Sequence, residues 1–217
     1  MAPRVVVVLS GCGVFDGTEI HEAVIALLTF SEEGATVQCT APELDFHVVD
    51  HATGQPTDLR RSTLVESARI ARGAIVPLTD IQAEDYDALF FPGGFGAAKN
   101  LTSFAFDGAD CSIDPQVERV VQAFHAAGKP IGAVCIAPAV IARALGSHSP
   151  KLTIGNDPGA AEALQALGAE HHDRPVTDCL VDPANKLVSA PAYMLDAPLH
   201  DVAKGIAAAV RATLALI

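Results

Sequence analysis

Three kinds of group in this sequence can act on a small molecule: a cysteine at a turn, a carboxylate at the edge of an apolar run, and glycine turns whose N–H groups can face a ligand. The cysteine is Cys135, in Gly132-Ala-Val-Cys-Ile-Ala-Pro138. A short apolar strand over 130–134 runs into it, and an alanine-rich helix follows over about 137–145. A sharp strand-to-helix turn lifts a side chain out of the sheet, and the helix behind it aims free N–H groups and the positive end of its dipole at the sulfur. Both effects favour thiolate, the nucleophilic form. The spacing approximates a G-x-S-x-G elbow, with Ala137 where the second glycine would stand. The alternative is an inert core thiol, because free cysteine is commonly buried.

Glu22 is the acid/base candidate. It lies one turn inside the first predicted helix, just before Ala23-Val-Ile-Ala-Leu-Leu-Thr-Phe30. Burial there raises its pKa and keeps it protonated, able to donate a hydrogen bond to a Cys135 thiolate. Glu22 is off the Ile20, Val24, Leu27 stripe, so periodicity leaves a solvated carboxylate as the alternative. Glu19 reads as the acid of a capping box in Asp16-Gly-Thr-Glu19 and takes no catalytic role. Pro92-Gly-Gly-Phe-Gly96 follows a predicted strand end. Gly94, with Gly93 and the Ile136 amide, is expected to form an oxyanion hole, because glycine lets backbone N–H groups approach a ligand; the alternative is a tight turn and nothing more. Gly93, Cys12 and Asn156 are the substrate-binding candidates; Cys12 also carries a redox-pair hypothesis, with packing as the alternative role.

The histidines offer less. Ile136, not histidine, follows Cys135, and adjacent helical residues such as His21 and Glu22 point about 100° apart. His125 reads as a surface residue of a helix. His171-His172-Asp173 reads as a solvated loop, since neighbours in an extended segment face opposite ways and rarely chelate together. No metal site is expected. Gly11-Cys-Gly13 with Gly17 is a poor dinucleotide fingerprint: the third glycine is displaced and no acid follows the second strand at the required distance. Asn100 reads as structural.

The elements that must position these groups alternate between strand and helix. Arg4 to Leu9 is a continuous β-branched run, the pattern of a strand covered on both faces. A helix is predicted from near Gly17 to Glu33-Gly34, a second strand over 35–41, and a small hairpin within 43–61 turning at Thr53-Gly-Gln-Pro56. Ser62 caps a helix to about Arg72, 87–91 is another buried strand, and Asp114-Pro115 opens a helix that ends near Gly128. After the elbow helix come a short strand over 151–154, a helix from Pro158 to Gly168, an edge hairpin pairing 176–181 with 186–189, and a closing helix from Pro198. This alternation implies one α/β domain over 1–217, with a mostly parallel sheet wrapped on both faces. Ligands of such sheets bind outside the carboxyl ends of the strands. Ser10 to Gly13, Pro92 to Gly96, Cys135 and Asn156-Asp157 are expected to converge there.

Net charge is −12 with no Lys/Arg cluster, which argues against a nucleic-acid footprint or an anionic membrane surface. The first apolar run is too short for a secretory signal or a membrane span, so the expectation is a cytoplasmic protein. Five cysteines without C-x-x-C spacing suggest neither a disulfide framework nor a zinc knuckle.

With these residues placed, the chain resembles the class I glutamine amidotransferase-like superfamily, in the branch of the Parkinson-linked deglycase and the PfpI-type proteases. Within it the resemblance is to bacterial glyoxalases also labelled isoprenoid-biosynthesis proteins. It covers essentially the whole chain and rests on residues 9–22, 92–101, Cys135-Ile-Ala-Pro-Ala139, Leu152-Thr-Ile-Gly-Asn156 and Pro191-Ala-Tyr-Met-Leu195. The resemblance implies a flavodoxin-like three-layer fold, a homodimer, no cofactor, Cys135 as nucleophile, Glu22 beside it, and an oxyanion hole at Gly94 and Ile136. It implies a cofactor-independent glyoxalase that converts methylglyoxal or glyoxal to the 2-hydroxy acid. The chain departs from the protease and amidotransferase patterns where those carry histidine: Ile136 and, approximately, Asn156 stand there instead, which argues against peptidase and glutaminase activity. The competing expectations are a cysteine-based redox sensor and an amidotransferase-like accessory protein of isoprenoid metabolism.

Overall fold

The computed structural model describes residues 2–217. Its centre is a seven-stranded sheet in the order β10-β11-β7-β6-β1-β2-β5. The strands are β1 (Arg4–Val8), β2 (Thr36–Ala41), β5 (Ile75–Pro77), β6 (Ala88–Phe91), β7 (Ile131–Val134), β10 (Leu180–Asp182) and β11 (Leu187–Ala190). All neighbours are parallel except β10 and β11, the expected edge hairpin. Between them in sequence lie β3 (Asp45–Asp50) and β4 (Gln55–Ser62), which form a separate antiparallel hairpin, and β8 (Lys151–Leu152) and β9 (Glu170–His171), which pair in a small parallel sheet. The helices are α1 (Ile20–Glu32), α2 (Thr63–Ile70), α3 (Phe104–Asp107), α4 (Pro115–Ala126), α5 (Pro138–Leu145), α6 (Pro158–Ala166) and α7 (Leu199–Ala215).

The layers follow from the two-residue period of the central strands. Val5, Val7 and Leu9 with Phe90 and Val134 pack against Ala23, Ala26 and Phe30 of α1 and Ile206 and Val210 of α7. Val6 and Val8 with Leu89, Phe91 and Ile131 pack on the other face against Val120 and Phe124 of α4 and Val140 and Ile141 of α5. Strands buried on both faces must read as unbroken apolar runs, as β1 and β6 do. Phe30 meets Phe90 edge-on, with ring centroids 5.3 Å apart, an arrangement that adds about 0.5–1.5 kcal/mol beyond buried area. The result is an α/β, flavodoxin-like three-layer fold with a mostly parallel sheet.

Chain direction reverses between β1 and β6: β1 leads outward to β2 and β5, then the chain returns to β6 and moves the other way to β7. Such a switch opens a crevice at the carboxyl ends of the two strands. The loops leaving β1, β6 and β7 therefore meet at one end of the sheet.

Several local expectations shift. The first helix begins at Ile20, not Gly17, because Glu19 itself is the N-cap: its Oε2 accepts from the Glu22 N–H at 2.7 Å. Asp16 makes no capping box; its Oδ2 accepts from the Val49 N–H at 2.8 Å and ties the hairpin to the sheet end. Residues 151–154 do not extend the main sheet, because β8 pairs with β9. His171 is no solvated loop residue: its side chain is buried, and Nε2 donates to the Gly155 carbonyl at 3.1 Å. The three-residue edge strand β5 and the π-turn over Ala97–Leu101 carry no sequence pattern that announces them.

Candidate active site

Cys135 follows β7 directly and has φ +61°, a left-handed conformation that costs a non-glycine residue about 1–3 kcal/mol and persists where surrounding structure enforces it. Here the enforcement is visible. The Cys135 N–H donates to the Ala190 carbonyl of β11 at 2.9 Å, so the sheet ladder holds the backbone while α5 departs from Pro138. The residue is 8% exposed and lies on the wall of a cavity of about 430 Å³.

Glu22 is fully buried, which removes the solvated alternative. It sits at the third position of α1, facing the sheet with Ala23, Ala26 and Phe30, while Ile20, Val24 and Leu28 face outward. Glu22 Oε2 accepts from the Gly93 N–H at 2.8 Å and Oε1 from the Tyr193 N–H at 3.4 Å. Its carboxyl also hydrogen-bonds the Cys135 thiol. Burial first, and the neighbouring Glu19 second, push Glu22 up from an ordinary 4.5 to about 8, so at neutral pH it carries a proton.

Elbow geometry alone suggests a thiolate; the structure corrects that. Burial, followed by the charge of Glu22, raises the Cys135 thiol well above its ordinary value, opposed by N–H donors from Gly94 and Ile136 that point at the sulfur. At neutral pH the resting pair is a carboxylic acid beside a thiol. Loss of one proton leaves a carboxylate beside a thiol, because Glu22 releases its proton at about 8 and its charge raises the thiol further. The Gly93 and Tyr193 N–H groups hold the carboxylate, and those of Gly94 and Ile136 the sulfur.

The two loop glycines divide the work. Gly94 has φ +95°, and a Cβ there would lie 2.3 Å from the Glu19 nitrogen, so only glycine turns its N–H toward Cys135. A Cβ on Gly93 would lie 2.5 Å from the Cys135 Cβ and 2.7 Å from Glu22 Oε2. Gly93 therefore lets β6 approach β7 and α1, and its N–H holds Glu22 and is not free for substrate.

Other candidates separate. Cys12 lines a different cavity, with Asp16, Phe46, His51, Arg61 and Glu66 beneath the β3–β4 hairpin. Asn156 is exposed and outside the Cys135 cavity, whereas its neighbour Asp157, the N-cap of α6, is on the wall. Sequence reasoning set His21 aside because it points away from Glu22. It does, yet its Nδ1 is hydrogen-bonded at 2.9 Å to the hydroxyl of Tyr193, which lines the cavity. The signal for Tyr193 was in Pro191-Ala-Tyr-Met-Leu195, but its place became visible only once β11 lay beside β7. Asn100 is structural: its Nδ2 donates to the carbonyls of Ser10 and Asp16.

Among the described residues, no cluster of three or more His, Cys, Asp or Glu side chains is arranged to hold a metal ion, and no helix is long and apolar enough to cross a membrane.

Comparison with known proteins follows the same lines. A human protein, glutamine amidotransferase-like class 1 domain-containing protein 3, mitochondrial, is 50% identical over 226 residues, spanning 99% of this chain and 84% of its own. The crystal structure of an isoprenoid biosynthesis protein with amidotransferase-like domain from Ehrlichia chaffeensis superposes with TM-score 0.92 at 36% identity, covering 99% of this chain and 100% of that one. Glyoxalase III from Candida albicans shares the fold at TM-score 0.64 and 16% identity, over 97% of each chain. The human relative's mitochondrial name overturns the expectation of a cytoplasmic protein. Measuring the length of an apolar run detects secretory signals and spans, and is blind to a mitochondrial address. The model of the DJ-1/PfpI family matches residues 5–196, and the chain belongs to that family.

Proposed function

We propose that this protein is a cofactor-independent glyoxalase that converts small 2-oxoaldehydes to 2-hydroxy acids, with Cys135 as nucleophile and Glu22 as proton carrier. The observation that carries the reading is the buried Glu22 carboxyl, hydrogen-bonded to the Cys135 thiol and tuned to about 8. A carboxyl poised near neutral pH suits a reaction whose chemistry is movement of one proton between adjacent carbons.

The steps balance without a redox partner. The reactive pair is the Glu22 carboxylate beside the Cys135 thiol. The carboxylate takes the thiol proton as the sulfur bonds to the aldehyde carbon and the carbonyl electron pair moves to oxygen. Glu22 then passes that proton to the oxygen, which gives a hemithioacetal and restores the carboxylate. The Gly94 and Ile136 N–H groups, which point at the sulfur in the resting site, are the donors in reach of that oxygen. Glu22 as carboxylate removes the proton from the sulfur-bearing carbon to give an enediolate and returns it to the neighbouring carbon, while the hydroxyl proton passes from the first oxygen to the second, leaving a thioester of the hydroxy acid. Water cleaves the thioester, releasing the acid and restoring the thiol.

The small-molecule aldehyde is the proposed partner, together with a second copy of the chain. Ile20, Val24 and Leu28 form an exposed apolar stripe along α1, the surface a homodimer would cover. A cysteine-based redox sensor shares the need for an accessible thiol, but a buried carboxyl that accepts from the thiol suits proton transfer better than oxidation of a thiolate.

The test is lactate formation from methylglyoxal by protein freed of glutathione and metal ions, beside Glu22→Gln. Expected is turnover by wild type and a loss of about 10²–10⁴-fold in the variant, the range for removal of a positioned acid/base. No lactate from wild type would overturn the reading.

A further inference from the structure

We infer that the Cys135 cavity selects neutral 2-oxoaldehydes with an apolar body and rejects those that carry a carboxylate. The inference rests on the aldehyde reading above and names the substrate class that the same site takes.

Size is the first observation. The cavity of about 430 Å³ falls in the range of pockets that enclose ligands far larger than the handful of heavy atoms in methylglyoxal. Its walls are the second. Val14, Phe95, Ile136 and Met194 supply apolar surface around the sulfur. The Phe95 N–H donates to the Val14 carbonyl at 2.7 Å, which fixes the two loop walls against each other. Tyr193 adds its ring while its hydroxyl is engaged by His21.

Charge is the third. No Lys, Arg or His lines the cavity; its one acidic wall residue is Asp157, whose Oδ1 already accepts from the Ala160 N–H at 2.8 Å. Glu22 and Glu19 stand behind Cys135. Lys99, which is not on the wall, has its Nζ 4.9 Å from the centre of the Phe95 ring and donates to the Phe15 carbonyl at 2.8 Å. A carboxylate in this cavity would lose its water and gain no counter-ion, whereas an aromatic or branched tail would replace water on four apolar side chains.

The experiment compares kcat/KM of wild type for methylglyoxal, phenylglyoxal, and the matched pair 4-carbamoylphenylglyoxal and 4-carboxyphenylglyoxal. Expected is a preference of at least about tenfold for phenylglyoxal over methylglyoxal, and of about tenfold or more for the amide over the carboxylate. Intrinsic aldehyde reactivity is removed by Phe95→Ala, at a position 45% exposed, which is expected to lower the phenylglyoxal to methylglyoxal ratio by about threefold or more. Equal use of amide and carboxylate, or a ratio unchanged in Phe95→Ala, overturns the inference. If wild type turns over none of the four, the glyoxalase reading fails on its own. The cavity's preference is then read from alkylation of Cys135 by iodoacetamide and iodoacetate, followed by peptide mass spectrometry and divided by the rates for free cysteine. A corrected preference of about tenfold for the amide supports a neutral-ligand cavity, and equal corrected rates overturn it.

Discussion

Two cysteines stand at carboxyl ends of strands in the same sheet, and only one sits in machinery. Cys12 follows β1 and Cys135 follows β7; burial raises both thiols. Around Cys12 the remaining influences are charges that oppose one another: Glu66 and Asp16 raise the thiol, Arg69 lowers it. Around Cys135 the charge of Glu22 comes first, and directional groups join it. Two backbone N–H groups and one carboxyl reach the sulfur, and the backbone at φ +61° aims it into the cavity. Burial at a strand end therefore does not make a nucleophile. Donors with fixed direction, and an acid that can give and take a proton, are what distinguish the second site.

A large expected effect breaks the Cys135 side of this comparison without replacing either cysteine. Gly93→Ala places a Cβ 2.5 Å from the Cys135 Cβ, so it should cost about 1–3 kcal/mol of stability and lower turnover by more than about 10²-fold through misplacement of Glu22. Denaturant titration and steady-state kinetics measure the two. An alanine enzyme with wild-type kinetics would mean that Gly93 does not hold the acid in place.

Glu22→Gln separates activity from stability. In wild type the unfolded chain releases this proton above about 4.5, while the folded site keeps it until about 8. The folded pKa is raised, so stability falls as pH rises from about 4.5 to 8 and levels off above. At about 1.4 kcal/mol per unit the ceiling on this penalty is about 5 kcal/mol. Glu22→Gln, which cannot ionise, should gain stability relative to wild type as pH rises, while losing turnover. Melting temperatures at pH 5 and pH 9 decide it; a difference between the proteins that is the same at both values contradicts the buried, raised carboxyl.

Proton loss from the Glu22–Cys135 pair also sets a kinetic profile. Glu22 becomes a carboxylate at about 8 and can then take the thiol proton as a general base, so alkylation of Cys135 by iodoacetamide should climb between about pH 6 and 9 with a midpoint near that value. A flat profile would show that Glu22 does not govern the thiol. The smallest effect sharpens the Cys12 side. Glu66 pairs with Arg61 and Arg69 at 3.2 and 2.8 Å, and Glu66→Gln leaves those cations beside Cys12. Its alkylation should rise only a few-fold, because one of the charges that raise the thiol is gone, and still bring no turnover. If Cys12 then supported catalysis, direction would matter less than charge.

Much of this was legible in the sequence, and the misses have physical causes. Val5 to Leu9 and Asp87 to Phe91 announce strands buried on both faces, and glycine after each marks where backbone must come close. Cys135 between a strand and an alanine-rich helix announces the elbow. Glu22 was visible as a carboxylate beside apolar residues, but the stripe of larger side chains pointed the wrong way: Ala23 and Ala26 allow α1 to pack on the sheet, while Val24 and Leu28 face outward. Close packing here is set by small residues. Which ligand each N–H serves was also hidden, because Gly93 and Gly94 are adjacent and identical in type while one faces Glu22 and the other the sulfur. The separation of Cys12 depends on the β3–β4 hairpin folding over it, a long-range event that Asp16 and Val49 record only in three dimensions.

The most direct measurement is hydroxy-acid production from methylglyoxal by wild type, Cys135→Ala and Cys12→Ala side by side, without glutathione or added metal. Expected is conversion by wild type, none above background in Cys135→Ala, and a rate within about twofold of wild type in Cys12→Ala, since a change outside the site alters energies by about 0.5 kcal/mol or less. Undiminished conversion by a folded Cys135→Ala protein would contradict the assignment of Cys135 as the nucleophile.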